Sequence, residues 1–414
     1  MRDFTMNSLI KPSTSVALVA IAGVLASQPT TSFAADWLQF RGNSATSVAN
    51  EETLPTELSG TNIAWQIELP GRGVSGPIVV GDQVIVTASS GYSDDRLHVI
   101  SYDAASGKLA WQRQFEATGR TGCHPKMCVA TPTPASDGER VFAFYSSNDL
   151  ICTDLDGNLL WYRGLGEEFP NASNSLGMSS SPIVIGPTVI AQVESDAEAF
   201  AIGVDTISGK TKWKIDRPRR ANWTSPTILP GSNGKPALAL LQSSEGVSAV
   251  DPETGKIIWE FADGASTIPS STVVGNSIVI PSNGLTTVTP ADDGTVEEVW
   301  NSSRLSPGTS SPVVMNGMTF TINSSGALTA GDVETGNRIW QLRLKGPFSS
   351  TPIASQGYLF FFNEDGFATV VKTTRDEGKI VSELDLGETI LCSPAAANDA
   401  LYVRSDKHLW KFAE

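Results

Sequence analysis

Apolar residues along this chain come in short runs that recur in a fixed order. The first run of each group follows a Ser/Thr-Pro step or a close variant. These steps are Gly76-Pro77, Thr133-Pro134, Ser181-Pro182, Ser225-Pro226, Ser311-Pro312, Thr351-Pro352 and Ser393-Pro394, with Ser270-Ser271-Thr272 as the copy without proline. Proline is tolerated at the first residue of a strand, where no ladder donor is lost. A tight turn such as Gly81-Asp82 or Asn316-Gly317 leads to a second run (Val84-Ile85-Val86), and a polar loop leads to a third. The third run ends in an Asp-x-x-(Thr/Ser)-Gly turn, and the run beyond it carries a Trp. The clearest copy is Asp251/Gly255/Trp259, and the register returns at Asp103/Gly107/Trp111, Asp154/Gly157/Trp161, Asp205/Gly209/Trp213 and Asp332/Gly336/Trp340. Gly294/Trp300 lacks the Asp, and after Gly378 the Trp position holds Ser382. Each group therefore predicts a four-stranded antiparallel meander, strands A to D.

Successive Trp residues of this repeat, from Trp111 to Trp340, lie 40 to 52 positions apart, the period of a β-propeller blade. The turn explains its own composition: Asp accepts from backbone N–H groups two residues on, and Gly supplies the positive φ of a tight connection. Trp offers a broad flat surface to the next blade. Eight A strands can be counted, but the last group, from Pro394, ends without a fourth strand. Residues 62–68 (Asn-Ile-Ala-Trp-Gln-Ile-Glu) form an orphan D strand ahead of the first group. The chain is thus expected to be all-β, a single eight-bladed propeller whose N-terminal strand completes the last blade and leaves no open sheet edge. Against this register, phosphate-loop and calcium-loop fragments at 203–211 and 154–158 dissolve into ordinary C–D turns.

Composition narrows the function. A net charge of −15 argues against a general nucleic-acid or anionic-membrane surface. Arg2 and Lys11, the apolar stretch 16–26 and Ser32-Phe33-Ala34 have the order of a secretory signal cleaved near Ala34, too short to span a bilayer. The expected organisation is a signal peptide over 1–34, an N-terminal extension over 35–59 and the propeller over 60–414, periplasmic or secreted. Export permits disulfides among Cys123, Cys128, Cys152 and Cys392. Cys123 and Cys128 are the local pair, and Cys152 sits in an alternating strand suited to the core.

The Asp-x-x-Thr-Gly-x-x-x-Trp repeat resembles the tryptophan-docking repeat of quinoprotein alcohol dehydrogenases and of the non-catalytic BamB family of outer-membrane assembly proteins, together the PQQ-like propellers. The resemblance covers residues from about Gly60 to the C-terminus, and Asp36-Trp37-Leu38-Gln39-Phe40-Arg41-Gly42 is similar to the opening of BamB-like exported propellers. The BamB side implies a binding or scaffold protein without catalytic residues or cofactor, and a partner that is another exported or outer-membrane protein. The quinoprotein side implies PQQ with calcium held by Glu, Asn and Asp from different blades. No such set can be assigned here, and an adjacent Cys-Cys pair is absent. BamB relatives in the assembly machinery are lipid-anchored, whereas no Cys follows the apolar stretch here. The alternatives to a binding module are a quinoprotein-like oxidoreductase and a propeller that binds or processes exported polysaccharide.

Function on a repetitive scaffold concentrates in long loops. The D–A connections over 116–130, 164–180 and 216–223 are long and fall along one arc of one face. The first contributes His124 and Lys126. The second contributes Asn174 in an amide- and hydroxyl-rich stretch. The third contributes Arg217, Arg219, Arg220 and Trp223. Three Arg beside a Trp suit a carboxylate or phosphate on a flat ligand; equally, a solvated loop can pair its Arg residues with surplus carboxylates. Cys-His-x3-Cys offers too few ligands for zinc, so no metal is assigned. Three His residues without H-E-x-x-H, and no G-x-S-x-G, leave no catalytic set to name.

Overall fold

The computed structural model describes residues 36–232 and 234–414; the export signal read over 1–34 lies outside them. Each repeat folds as one sheet. In the third, Ile183–Ile185, Thr188–Val193, Phe200–Asp205 and Thr211–Asp216 pair in sequence order. Its second strand is buried throughout and its third nearly so, while the fourth alternates between exposed and buried positions. Eight such four-stranded sheets make the propeller. The first strands of neighbouring blades touch one another, which places the A strands around the axis.

The eighth blade is assembled from both ends of the chain. Ala395–Ala397, Ala400–Arg404 and His408–Phe412 are completed by Ile63–Glu68, which pairs antiparallel with His408–Phe412, Trp65 opposite Lys411. Ring closure by the orphan strand is therefore observed.

Trp docking joins the blades. The Trp111 indole donates to the Leu155 carbonyl of the next blade at 2.7 Å, Trp161 to Thr206 at 3.0 Å, Trp213 to Pro252 at 2.9 Å, Trp300 to Val333 at 2.9 Å and Trp340 to Thr374 at 3.1 Å. Trp65 closes the seam between blades eight and one by donating to Ala104 at 3.1 Å. Each of these rings lies against the turn glycine of the following blade. A Cβ on Gly209, for example, would stand 2.7 Å from the Trp161 ring, and φ there is +69. Glycine at this turn thus serves both the bend and the docked ring. A β-bulge next to the Trp position recurs in every blade, as between Gly203 and Val204, and sets the twist that presents the ring.

The junction between blades seven and eight differs. Blade eight has no C–D turn, because its D strand comes from the other end of the chain, so no turn waits there to receive a Trp. Leu58 fills the gap. Its N–H donates to the Ser382 hydroxyl at 2.9 Å, that hydroxyl donates back to the Leu58 carbonyl at 3.2 Å, and the side chain is buried.

Leu58 ends a strap that crosses the axis and touches most of the blades, a role the sequence pattern does not disclose. Trp37 exchanges backbone bonds with Val79 at 2.9 and 3.0 Å. Gln39 Oε1 accepts from the Val184 N–H at 3.2 Å. Arg41 donates to the Ser271 and Pro312 carbonyls at 2.8 and 3.1 Å. Ala49 donates to the Ala354 carbonyl at 2.8 Å, and Thr53 to Asp399 at 2.7 Å.

Candidate functional site

The residue that begins each A strand does more than start it. The Gly76 N–H donates to Thr133 Oγ1 of the next blade at 2.9 Å, Thr133 to Ser181 at 3.0 Å, Ser181 to Ser225 at 2.9 Å and Ser225 to Ser270 at 2.9 Å. The series continues from Ser270 to Ser311 at 3.0 Å, Ser311 to Thr351 at 3.1 Å and Thr351 to Ser393 at 2.9 Å. Seven hydroxyls thus circle the axis, each accepting a backbone N–H from the blade before it. The eighth link is open because Gly76 carries no hydroxyl, and a Cβ there would meet the Ser393 carbonyl at 2.7 Å.

Above this ring a cavity of about 370 Å³ opens on the face of the D–A loops, lined by residues of all eight blades. Phe40 of the strap lines it as well. The mouth is apolar: Leu176 and Ile268 are 45% and 46% exposed, with Met127 and Trp223 beside them. His124, Lys126, Leu176 and Trp223, from the three long loops, do converge here. The loops are tied together by His124 N–H to the Leu176 carbonyl at 2.9 Å, the Trp223 indole to the Gly177 carbonyl at 2.9 Å, and Ser179 Oγ to the Trp223 carbonyl at 3.0 Å. Lys126 reaches Glu364 at 2.6 Å and remains half exposed.

Other residues of the expected site lie elsewhere. Arg217 is a buried framework group: it pairs with Glu194 at 2.8 Å and donates to Ser248 and the Leu241 carbonyl at 3.0 Å each. Burial pushes the Glu194 carboxyl up despite Arg217 and Asn222 beside it. Arg217 therefore offers nothing to a ligand. Arg219 and Arg220 are exposed but do not line the cavity. Asn174 is buried and accepts from the Leu176 N–H at 3.0 Å.

The expected Cys123–Cys128 disulfide is not formed, and all four cysteines are free. The two thiols face different neighbours: Cys123 lies 3.5 Å from Ser146 Oγ, while Cys128 is fully buried beside Thr131. Cys392 lines the cavity, and burial pushes its thiol up to about 11, so it stays protonated at neutral pH.

The cavity's donor set does not fit a calcium-assisted quinone. Its lining contains no carboxylate, and no cluster of His, Cys, Asp and Glu suited to a metal exists among the described residues. Glu364, bonded to the lining residues Lys126 and Ser349, is held by both.

The family described as Outer membrane protein assembly factor BamB matches residues 54–228, 243–358 and 326–414, nearly the whole propeller. The chain belongs to this BamB family. Among solved structures it is similar to BamB from Moraxella catarrhalis, with a TM-score of 0.62 and 20% identity over 85% of this chain and 97% of that one. It is also similar to the quinohemoprotein alcohol dehydrogenase of Comamonas testosteroni, with a TM-score of 0.67 and 14% identity over 91% of this chain and 80% of that one. At these identities the likeness shows the fold alone. A polyvinylalcohol dehydrogenase from Pseudomonas sp is 25% identical over 242 residues, 48% of this chain. The matched part spans about a third (35%) of that relative's length. The BamB fold and the quinoprotein fold are thus both neighbours of this BamB-family chain.

Proposed function

We propose that the protein is an exported BamB-type propeller that works by binding, with its partner or ligand held on the D–A loop face and no chemistry performed in the axial cavity. The observation that carries this reading is the cavity itself: every blade contributes to it, its mouth is apolar, and its lining has a Lys and a His but no acid. Catalysis of hydride or proton transfer needs a group placed to take the proton, and a metal-assisted quinone needs anionic oxygen ligands. The lining supplies no anionic oxygen ligand, and His124, its one imidazole, has Nδ1 taken by the Lys126 N–H at 3.2 Å. An apolar mouth with few convergent polar groups suits recognition. The exported location rests on the signal-like N-terminal sequence and on BamB membership, and the partner class is an outer-membrane or other exported protein.

The second reading, a quinone-dependent alcohol oxidoreductase, is favoured by the similarity to polyvinylalcohol dehydrogenase. Titrating PQQ with calcium while following melting and dye-linked alcohol oxidation separates the two. A binding module gives neither a saturable melting shift nor dye reduction; a saturable shift with dye reduction overturns the proposal.

A further inference from the structure

Hydroxyls line the cavity in two sets, and the sets differ in what they do with their protons. Those nearer the mouth donate to the protein: Thr131 to the Cys128 carbonyl at 2.7 Å, Ser179 to the Trp223 carbonyl at 3.0 Å, Thr309 to the Phe348 carbonyl at 2.7 Å and Ser349 to Glu364 at 2.7 Å. The seven ring hydroxyls only accept, each from the backbone of the preceding blade. Among the described residues none of them has a protein acceptor for its own proton. A hydroxyl has one proton to give, and six of these seven residues are at most 4% exposed. At the open eighth link the Ser393 N–H has no hydroxyl to meet, since Gly76 stands there. The ring is therefore a wall of donors on seven of its eight sides, facing a small volume that holds no acid.

A second feature places positive charge close behind the ring. Arg41 follows Phe40, which lines the cavity, and donates to the carbonyls of Ser271 and Pro312, each one residue beyond a ring serine. It is 1% exposed, and among the described residues it forms no ion pair with a carboxylate. Burial alone pulls its guanidinium down to about 9, still charged at neutral pH. Arg404 is likewise fully buried behind the open link: it donates to Ser75 Oγ at 2.8 Å, and its Nη2 has no partner. Two buried cations near a ring of hydroxyl donors, neither in a close carboxylate pair among the described residues and Arg404 feeling Asp406 only at longer range, favour an acceptor-only, anionic group.

Resting on the binding-module reading, we propose that the axial cavity takes a small organic carboxylate head-first. Its oxygens accept from the ring hydroxyls of the A strands, and its apolar or aromatic body lies against Trp223, Leu176 and Ile268. The volume of about 370 Å³ sits at the low end of small-molecule sites, which limits the body to about the size of one ring or a short chain.

The test uses phenylacetate, its neutral amide phenylacetamide and inorganic phosphate as probes, read by titration calorimetry on the full-length mature protein. Phenylacetate should bind one to one, and phenylacetamide, of the same shape but uncharged and carrying donors, at least about tenfold more weakly. Phosphate, which lacks the body, should bind more weakly than phenylacetate. Ser225→Ala with Ser270→Ala should weaken phenylacetate by about tenfold or more, whereas a change in salt should alter its affinity little, because the head is shielded. Should the double variant fail to fold, the amide comparison on the unaltered protein decides. Equal binding of acid and amide overturns the proposal, as does an affinity indifferent to the two serines. If phenylacetate binding depends instead on Lys126 and falls steeply with salt, the binding-module reading survives and the head-first carboxylate does not. Binding of PQQ with calcium accompanied by alcohol oxidation removes both.

Discussion

Arg217 and its near neighbours Arg219 and Arg220 share a loop and have opposite roles. The Arg217 guanidinium is enclosed with Glu194, their side chains 4% and 1% exposed. Removing one partner of a buried pair strands the other charge, at a cost of about 3–5 kcal/mol. Arg217→Ala should therefore lower the unfolding midpoint sharply, while Arg219→Ala with Arg220→Ala leaves it in place; equal effects in a urea titration would contradict the assignment. The cysteines give a second residue-level test: denatured, unreduced protein should expose four labelable thiols, because none is bonded. The turn aspartates give a third. Arg375 and then Thr335 hold the Asp332 carboxyl at about 2, against an ordinary 3.8, and hydrogen bonds from Ser106 and Ser208 lower Asp103 and Asp205. A carboxyl with a lowered folded pKa contributes stability that is present above its unfolded value and lost as pH falls through the folded one. The denaturation midpoint should hold above pH about 4 and slide between about 4 and 2, the Arg375–Asp332 part being sensitive to salt because the pair is exposed.

Between elements, the informative junction is the one without a Trp. Leu58 occupies the place where the other docked junctions hold an indole, and it does so with two hydrogen bonds to Ser382. Leu58→Ala should cost about 2–5 kcal/mol as a buried truncation, and Ser382→Ala about 1 kcal/mol. Ser382→Trp, which restores the repeat consensus, should destabilise rather than stabilise, because Leu58 already fills the space. Equal or higher stability of Ser382→Trp in thermal unfolding would show the space to be free. The blade order was legible in the sequence because each turn carries its own chemistry within five residues: Asp accepts, Gly bends, Trp docks. Ser382 was legible only as a departure, since the residue that compensates for it comes from outside the repeat. The hydroxyl ring was visible as Ser/Thr before Pro, but one residue per blade reads as strand punctuation until the blades are closed into a circle. For Arg217 the sequence leaves open a ligand or a carboxylate partner, because adjacency to exposed Arg219 and Arg220 says nothing of which side chain turns inward; the carboxylate that draws it in, Glu194, lies in a different loop of the blade.

For the whole molecule, the strap makes the ring more than a closed sheet. Residues 36–58 bind most of the blades at their inner strands, and Ile63–Glu68 supplies a strand the eighth blade lacks. A protein beginning at residue 69 should lose cooperative melting, since it has both an open seam and bare inner strands. One beginning at residue 59 keeps the closing strand and should melt as a single transition at a lower temperature. If both shortened proteins melt like the full chain, the strap and the closure contribute nothing to the fold.

The shared blade also imposes an order in time. Trp65 is made early and its partner Lys411 at the very end, so pairing across that seam has the longest sequence separation in the protein, and such contacts are slow to form. At a synthesis rate of ~5–20 residues per second, the strand Ile63–Glu68 waits roughly 20–70 s with its backbone donors and acceptors bare. An unpaired edge of this kind is a template for other chains. Every newly made copy therefore passes through a window in which that strand is unpaired, and faster synthesis should raise the share of aggregates seeded by it.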